Sequence, residues 1–400
     1  MAAPSDSTVL ISGAGIAGPA LAFWLLRYGY RTTLVEAAPA PRQGGYMIDF
    51  WGIGYDVAER MDLIPRLRSV GYDMAGVRLV DDRGATVGGF DAQVFRTALG
   101  NRFFSILRGD LGRELYRTIE GKVETIFGDS TQNIEQDDAG VRVTFRRAGS
   151  RRFDLVIGAD GLHSVVRRLL FGEEERFEKY LGYYVASFGV ADYPHRDNGI
   201  YVSYTVPGRQ AARYALRGNR TAFLFIWVED SKLAIDHHDT NAQKGILRDR
   251  FRDGGWECGA ILEALDSCED LYFDAVSQIR SDNWSHNRAA LLGDAAYCPS
   301  LLAGQGSAFA MAGAYILAGE LLHAKGDHAQ AFRNYERKLR PFIDGKQRAA
   351  TRLGGWFAPK TRLGLMARNQ LTGLISVPWI GAWLMNRMFN DRFALPDYRH

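Results

Sequence analysis

Between Thr8 and Glu36 the chain spells a strand, a glycine turn, a helix and a second strand, and no other stretch restricts the fold as tightly. Thr8 to Ser12 (TVLIS) is a short apolar, β-branched run of the kind that parallel sheets bury on both faces. Gly13-Ala14-Gly15-Ile16-Ala17-Gly18 then turns the chain, and Pro19 falls at an early helical position, where a missing N–H costs nothing. Ala20 to Tyr28 is apolar and helix-forming, Gly29 closes it, and Arg31 to Val35 supplies a second strand that ends in Glu36. In the pattern Gly13-x-Gly15-x-x-Gly18, the first glycine permits the tight turn and the second lets a pyrophosphate approach the backbone. The third lets helix and strand pack closely. The helix N-terminus adds N–H groups and positive partial charge, so Gly13, Gly15, Ala17 and Gly18 form a phosphate cradle. Glu36, at the end of the second strand, is placed to accept hydrogen bonds from ribose hydroxyls. The segment therefore predicts dinucleotide binding.

Composition agrees with a ligand-handling globular protein. Forty-four of the 400 residues are glycine, above the usual ~7%. Such an excess points to tight turns and to backbone that approaches a ligand. Lys and Arg outnumber Asp and Glu by only three, which excludes an electrostatic nucleic-acid binder. Cys258, Cys268 and Cys298 are too few for a disulfide framework and have no metal-ligand spacing, so a reducing cytoplasm is expected. MAAPSDS has no Lys or Arg and does not read as a signal peptide.

From about Tyr180 the sequence becomes rich in aromatic and β-branched residues. Arg213 to Arg217 and Thr221 to Glu229 flank Gly218-Asn219 and predict an antiparallel hairpin. Phe223, Phe225 and Trp227 share one face of its second strand. That face is either core or one wall of a substrate pocket. The uncharged stretch Asn369 to Asn386 contains Gly373, Pro378 and Gly381. It suits a packed or capping helix better than a membrane span, with peripheral membrane contact as the alternative. His237-His238 reads as a solvated loop, and Cys298 as packing.

Two remote segments repeat the theme of a buried strand that ends in an acid. One runs from Asp154 through Leu-Val-Ile-Gly-Ala to Asp160-Gly161, with Ser164 and Arg167 beyond. The other is Ala289 to Leu292 followed by Gly293-Asp294, then Pro299, Gly304-Gln305-Gly306 and a long apolar helix. Taken alone, Asp160 and Asp294 suit helix caps equally well. Taken in order with the N-terminal glycines, the three motifs resemble the para-hydroxybenzoate hydroxylase-like, single-component flavoprotein monooxygenases over essentially the whole chain. Closer in style are the tetracycline-inactivating monooxygenases, whose soil and Legionella-type members are similar at Ile106–Leu111 (ILRGDL), Phe251–Glu257 (FRDGGWE) and Gly293–Pro299 (GDAAYCP).

The resemblance implies an α/β fold: a Rossmann-like FAD-binding domain (1–179 and 281–340), an inserted antiparallel-sheet substrate domain (180–280) and a helical C-terminal region (341–400). It implies FAD, with adenosine on Glu36, pyrophosphate on Gly13–Gly18, and flavin-contacting arginines at Arg42 and Arg108. Asp294 would meet the ribityl chain, and Gly304, Gln305 and Gly306 would lie beside the ring. Asp160 is linked in the family to both FAD and the nicotinamide. The implied reaction uses NADPH or NADH and dioxygen to hydroxylate an electron-rich aromatic or enolic, polycyclic small molecule through a flavin 4a-hydroperoxide. Met47, Phe223 and Phe225 are the candidate substrate contacts. No catalytic acid or base stands out, and no metal or nucleic acid is expected. Membrane contact is not expected either, and a monomer or homodimer is. The alternatives are a flavin-dependent reductase of a prenyl or lipid substrate and a non-catalytic binder of planar ligands. Three positions depart from the family pattern: Tyr297 replaces a histidine, Leu301 a proline and Ala308 an asparagine.

Overall fold

The structure, a computed structural model, describes residues 7–41, 45–194, 196–236, 239–268, 270–375 and 393–398. Arg42, His237-His238 and 376–386 of the uncharged stretch lie outside them. A six-stranded sheet forms the first layer, in the order Ser285–His286, Ala289–Leu291, Leu155–Gly158, Thr8–Ser12, Arg31–Glu36 and Glu124–Phe127. Every neighbouring pair is parallel except the two-residue edge strand, which runs antiparallel to Ala289–Leu291. Val9, Leu10, Ile11, Val156, Ile157 and Ala290 have no exposed surface, as continuous apolar strands at the centre of a covered sheet require. The helix Ala17–Arg27 packs on this sheet, and Gly306–His323 packs on that helix.

A seven-stranded sheet forms the second layer: Tyr272–Ile279, Glu178–Ala191, Arg220–Val228, Arg209–Leu216, Ile200–Val206, Gly76–Val80 and Thr86–Asp91. It is antiparallel apart from the pair Ile200–Val206 and Gly76–Val80. The expected hairpin forms, and Gly218 and Asn219 in its turn both have positive φ. Two of the seven strands come from residues 76–91, far upstream of 180.

The faces of this sheet divide by alternation. Phe223, Phe225 and Trp227 pack under the helices Thr240–Phe251 and Cys258–Ala264. Ala222, Leu224 and Ile226 point the other way, toward the first layer. The strands Met47–Trp51 and Phe103–Leu107 pair antiparallel between the layers. The helix His328–Phe357 carries Pro341, and Arg362–Ile375 crosses the edge strand Thr86–Asp91.

Candidate active site

The glycine turn is built as its spacing requires. Gly13 has φ of +105°, and a Cβ there would strike the carbonyl of Ala159. A Cβ on Gly18 would strike the carbonyl oxygen of Gly13. Gly15 differs: nothing lies within 4 Å of where its Cβ would stand, so the backbone faces open space. The helix Ala17–Arg27 begins beside that space, and its N-cap residue Ile16 makes no side-chain capping bond. Orphan N–H groups at a helix start are satisfied by caps, water or an anion. Glu36 flanks the turn and accepts hydrogen bonds from the N–H groups of Ala14 (2.8 Å) and Ala38 (3.0 Å).

Gly293, at φ of +66°, brings the Asp294 segment against the same turn, and its Cβ would come within 3.1 Å of the Ala17 Cβ. Small residues at both positions allow that approach. Asp294 lies beside Arg108 and Cys298. Burial raises the Asp294 pKa, while the Arg108 guanidinium and a hydrogen bond with Cys298 hold it down. Arg108 opens the helix Arg108–Arg117 and donates its backbone N–H to the Tyr46 carbonyl at 3.0 Å. Burial disfavours its charge, but Tyr46 and Asp294 overcome that and raise its pKa.

The Gly304-Gln305-Gly306 loop closes this end. Gly304 is left-handed with φ of +66°, and a Cβ on Gly306 would sit 3.5 Å from Asp294 Oδ1. The helix Gly306–His323 starts here, again without a side-chain capping bond. Two long helices thus present uncapped N-termini around Gly15 and Asp294, and that arrangement suits a group carrying negative charge at both places. The cradle, the adjacent acid and the open Gly15 backbone suit FAD.

Asp160 sits at the same turn but is fully engaged by protein. It accepts from Ser12 Oγ (3.4 Å), Ser164 Oγ and the Val166 N–H (3.1 Å), and so starts the helix Val165–Phe171. Burial raises its pKa against those bonds. Beyond it, His163 pairs with Glu174 (2.9 Å) and Asp274 (3.4 Å).

The second layer supplies the opposite wall. Met47 donates its backbone N–H to the Tyr214 hydroxyl at 2.9 Å, which joins the two layers. Tyr214 stacks with Tyr201 at 6.1 Å, and Gln210 Nε2 donates to the Tyr201 hydroxyl at 3.0 Å. Tyr46 and Tyr272 meet at 5.2 Å between ring centroids. Asp49 accepts from Ser105 Oγ at 2.6 Å; it lies deep in the molecule yet borders open space, and burial raises its pKa.

One pair of expected contacts is corrected. Phe223 and Phe225 are fully buried on the far side of the sheet, against Phe188, Tyr193 and Phe251. The opposite face, turned toward the first layer, carries Tyr201, Gln210 and Tyr214, of which Tyr201 is half-buried and the other two are buried. Tyr46, Asp49, Gln210 and Tyr272 carry no local sequence motif and were not singled out by the sequence. The departures at Tyr297 and Ala308 face inward. Tyr297 abuts Gly313 and bonds the Tyr335 hydroxyl at 3.3 Å, and Ala308 packs against Gly54. Among the described residues no cluster of His, Cys, Asp and Glu suits a metal ion.

Fold and cradle define a flavoprotein, and the comparisons agree. The FAD binding domain family matches residues 113–345, and the chain belongs to that family. It is an FAD-dependent monooxygenase of the para-hydroxybenzoate hydroxylase-like group. A "Flavin-dependent monooxygenase" of Legionella longbeachae is 37% identical over 348 residues, covering 85% of this chain and 87% of its own. An uncharacterized protein of Mycobacterium tuberculosis, Rv1260, is 42% identical over 348 residues, covering 85% and 91%. The crystal structure of tetracycline destructase Tet(51) superposes with a TM-score of 0.82 at 31% identity, each chain covered completely. Klebsiella pneumoniae HpxO, solved with FAD and uric acid, shares the fold with a TM-score of 0.78 at 22% identity, over 97% of this chain and 98% of its own.

Proposed function

We infer that the chain hydroxylates a planar, electron-rich aromatic or enolic small molecule, polycyclic and tetracycline-like, with NAD(P)H and dioxygen as co-substrates. The observation that carries this reading is the wall opposite the flavin cradle. The half-buried Tyr201 ring stacks on the buried Tyr214, and Gln210 fixes the Tyr201 hydroxyl, so this wall would give a flat, oxygen-rich ligand an aromatic surface with a few oriented polar groups. The relatives described as flavin-dependent monooxygenases and the likeness to a tetracycline destructase support the same substrate class.

FAD, when bound, supplies electron acceptance from the nicotinamide and the activation of dioxygen. The chain's own residues bind, orient and exclude water. Gly15 and the uncapped Ala17–Arg27 helix hold phosphate, and Glu36 holds the ribose beside it. Asp294 lies beside Arg108 at the loop, where the Gly306 helix N-terminus would stabilise negative charge. Burial pushes the phenols of Tyr46 and Tyr214 up to about 12. Both therefore stay protonated at neutral pH and orient substrate as donors rather than removing its protons. Three free, buried cysteines suit a reducing cytoplasm.

The test is to present phenols and tetracyclines to the yellow protein in ¹⁸O₂ and follow NADPH and NADH oxidation. Substrate-stimulated oxidation with one labelled oxygen in the product is expected. Tyr214→Phe and Gln210→Ala should raise KM while flavin stays bound. A product reduced but unlabelled would overturn the reading in favour of a reductase. Tight ligand binding without turnover would make the protein a binder.

A further inference from the structure

The C-terminal part of the chain carries a pattern that the flavin site does not use. From Gly345 to Asn390 there is no Asp or Glu, and seven Lys or Arg stand in that stretch, although the whole chain has 46 acidic residues. Within it the helix Arg362–Ile375 is inverted. Its buried side holds Arg368, Thr372 and Ile375. Arg368 donates to Thr205 Oγ1 (3.2 Å) and Asn369 Oδ1 (2.9 Å), and burial lowers its pKa to about 10. The outward side is apolar: Leu363 is 79% exposed, Met366 63%, Leu371 50% and Leu374 47%. At ~100° per residue these four share an arc of roughly 140°. Trp356, 38% exposed, precedes them, and among the described residues only Val87 and Leu169 are other large hydrophobics this exposed.

Exposed apolar side chains gathered on one helix face mark a docking surface. We propose that this face seats the protein on an anionic lipid surface, with the helix lying in the interface. Lys360 and Arg362 stand exposed immediately before Leu363, where the headgroups would be. Lys360 stands 3.9 Å from Asp230, and both side chains are well exposed, so water weakens that pair. A second copy of the chain is a poorer occupant, because a two-fold contact would set this face against itself, and residues 345–390 hold no acid to pair with Lys360 and Arg362. No helix among the described residues is long and apolar enough to cross a membrane, which agrees with a helix that lies flat. The helix also crosses the edge strand Thr86–Asp91 and reaches, through Arg368, the strand that carries Tyr201. Docking would turn that end of the sheet toward the lipid.

The experiment is co-sedimentation of the full-length, flavin-loaded protein with phosphatidylcholine vesicles, with and without phosphatidylglycerol. Binding to the anionic vesicles alone, weakened by salt, is expected. Lys360→Gln and Arg362→Gln should each weaken binding about fivefold. The doubly substituted Leu363→Glu/Met366→Glu protein should lose vesicle binding while its flavin content and melting temperature stay unchanged. Wild-type protein that sediments with neither vesicle would overturn the proposal. So would a double variant that still binds. A dimer in ultracentrifugation that the same double variant dissociates would assign the face to a second copy and overturn it too.

Discussion

Two carboxylates flank the glycine turn in opposite surroundings. Glu36 is held by backbone N–H groups at the strand end, whereas Asp294 is buried beside Arg108. Replacing either by Ala removes a charged acceptor worth ~1.5–3 kcal/mol, or roughly 10- to 150-fold in affinity. Flavin titration of each apoprotein should show that loss, and unchanged affinity in both would move the site elsewhere. The positions of Glu36, at the end of a strand, and of Asp294, just after a strand and a glycine, follow from motifs local in the chain. That of Asp49 does not: its partner Ser105 lies 56 residues away and arrives only when two strands pair. His163 belongs with the hidden residues. Burial alone would lower its pKa, but Asp274 and Glu174 raise it to about 10. A raised folded-state pKa means that the stabilisation is complete below the unfolded value of ~6.5 and fades as pH rises through the folded value. Melting temperatures taken from neutrality to about pH 10 should therefore fall more steeply for wild type than for His163→Gln. Parallel curves would refute the charged assignment.

Elements decide which side of a residue matters. Alternation along Arg220–Val228 made it plain that Phe223, Phe225 and Trp227 share a face. Which face meets the cleft is settled by Thr240–Phe251, a helix later in the chain that covers the aromatic side. Phe225→Ala should cost ~3–5 kcal/mol of stability, read by denaturant unfolding, while NADPH oxidation stays coupled to hydroxylation. Uncoupling with undiminished stability would return Phe225 to the pocket. A second contact of this kind fixes the long helix Gly306–His323. Gly313 leaves room for the Tyr297 hydroxyl, and a methyl there would overlap it. Gly313→Ala should destabilise by ~1–3 kcal/mol, and adding Tyr297→Phe should recover part of the loss. Additive effects in that double-mutant cycle would disprove the contact. Ala308 against Gly54 and Ala17 against Gly293 repeat the rule, small residues setting how closely elements approach.

At the scale of the molecule, the Rossmann-like layer and the aromatic sheet were both readable, since each announces itself by local periodicity. The two strands from 76–91 were not. Thr86–Asp91 carries Gly88 and Gly89, which dilute a strand signal, yet Gly88 has to be small because Asn369 and Thr372 of the crossing helix press on it. These strands stitch the layers together, and the stitching has a consequence for how the protein is made. Val9 pairs with Leu155, and Gly76 with Ile200. At ~5–20 residues per second, the distant partner of each strand leaves the ribosome only after roughly 6–30 s, although each also has a local one in Arg31–Glu36 or Thr86–Asp91. Until then one edge of Thr8–Ser12 and one edge of Gly76–Val80 stand open to any other chain. Neither sheet can close before the middle of the sequence exists, and the first gains its Ala289–Leu291 strand later still. Biosynthesis of this enzyme therefore carries a long interval in which two strand edges lack their distant partners.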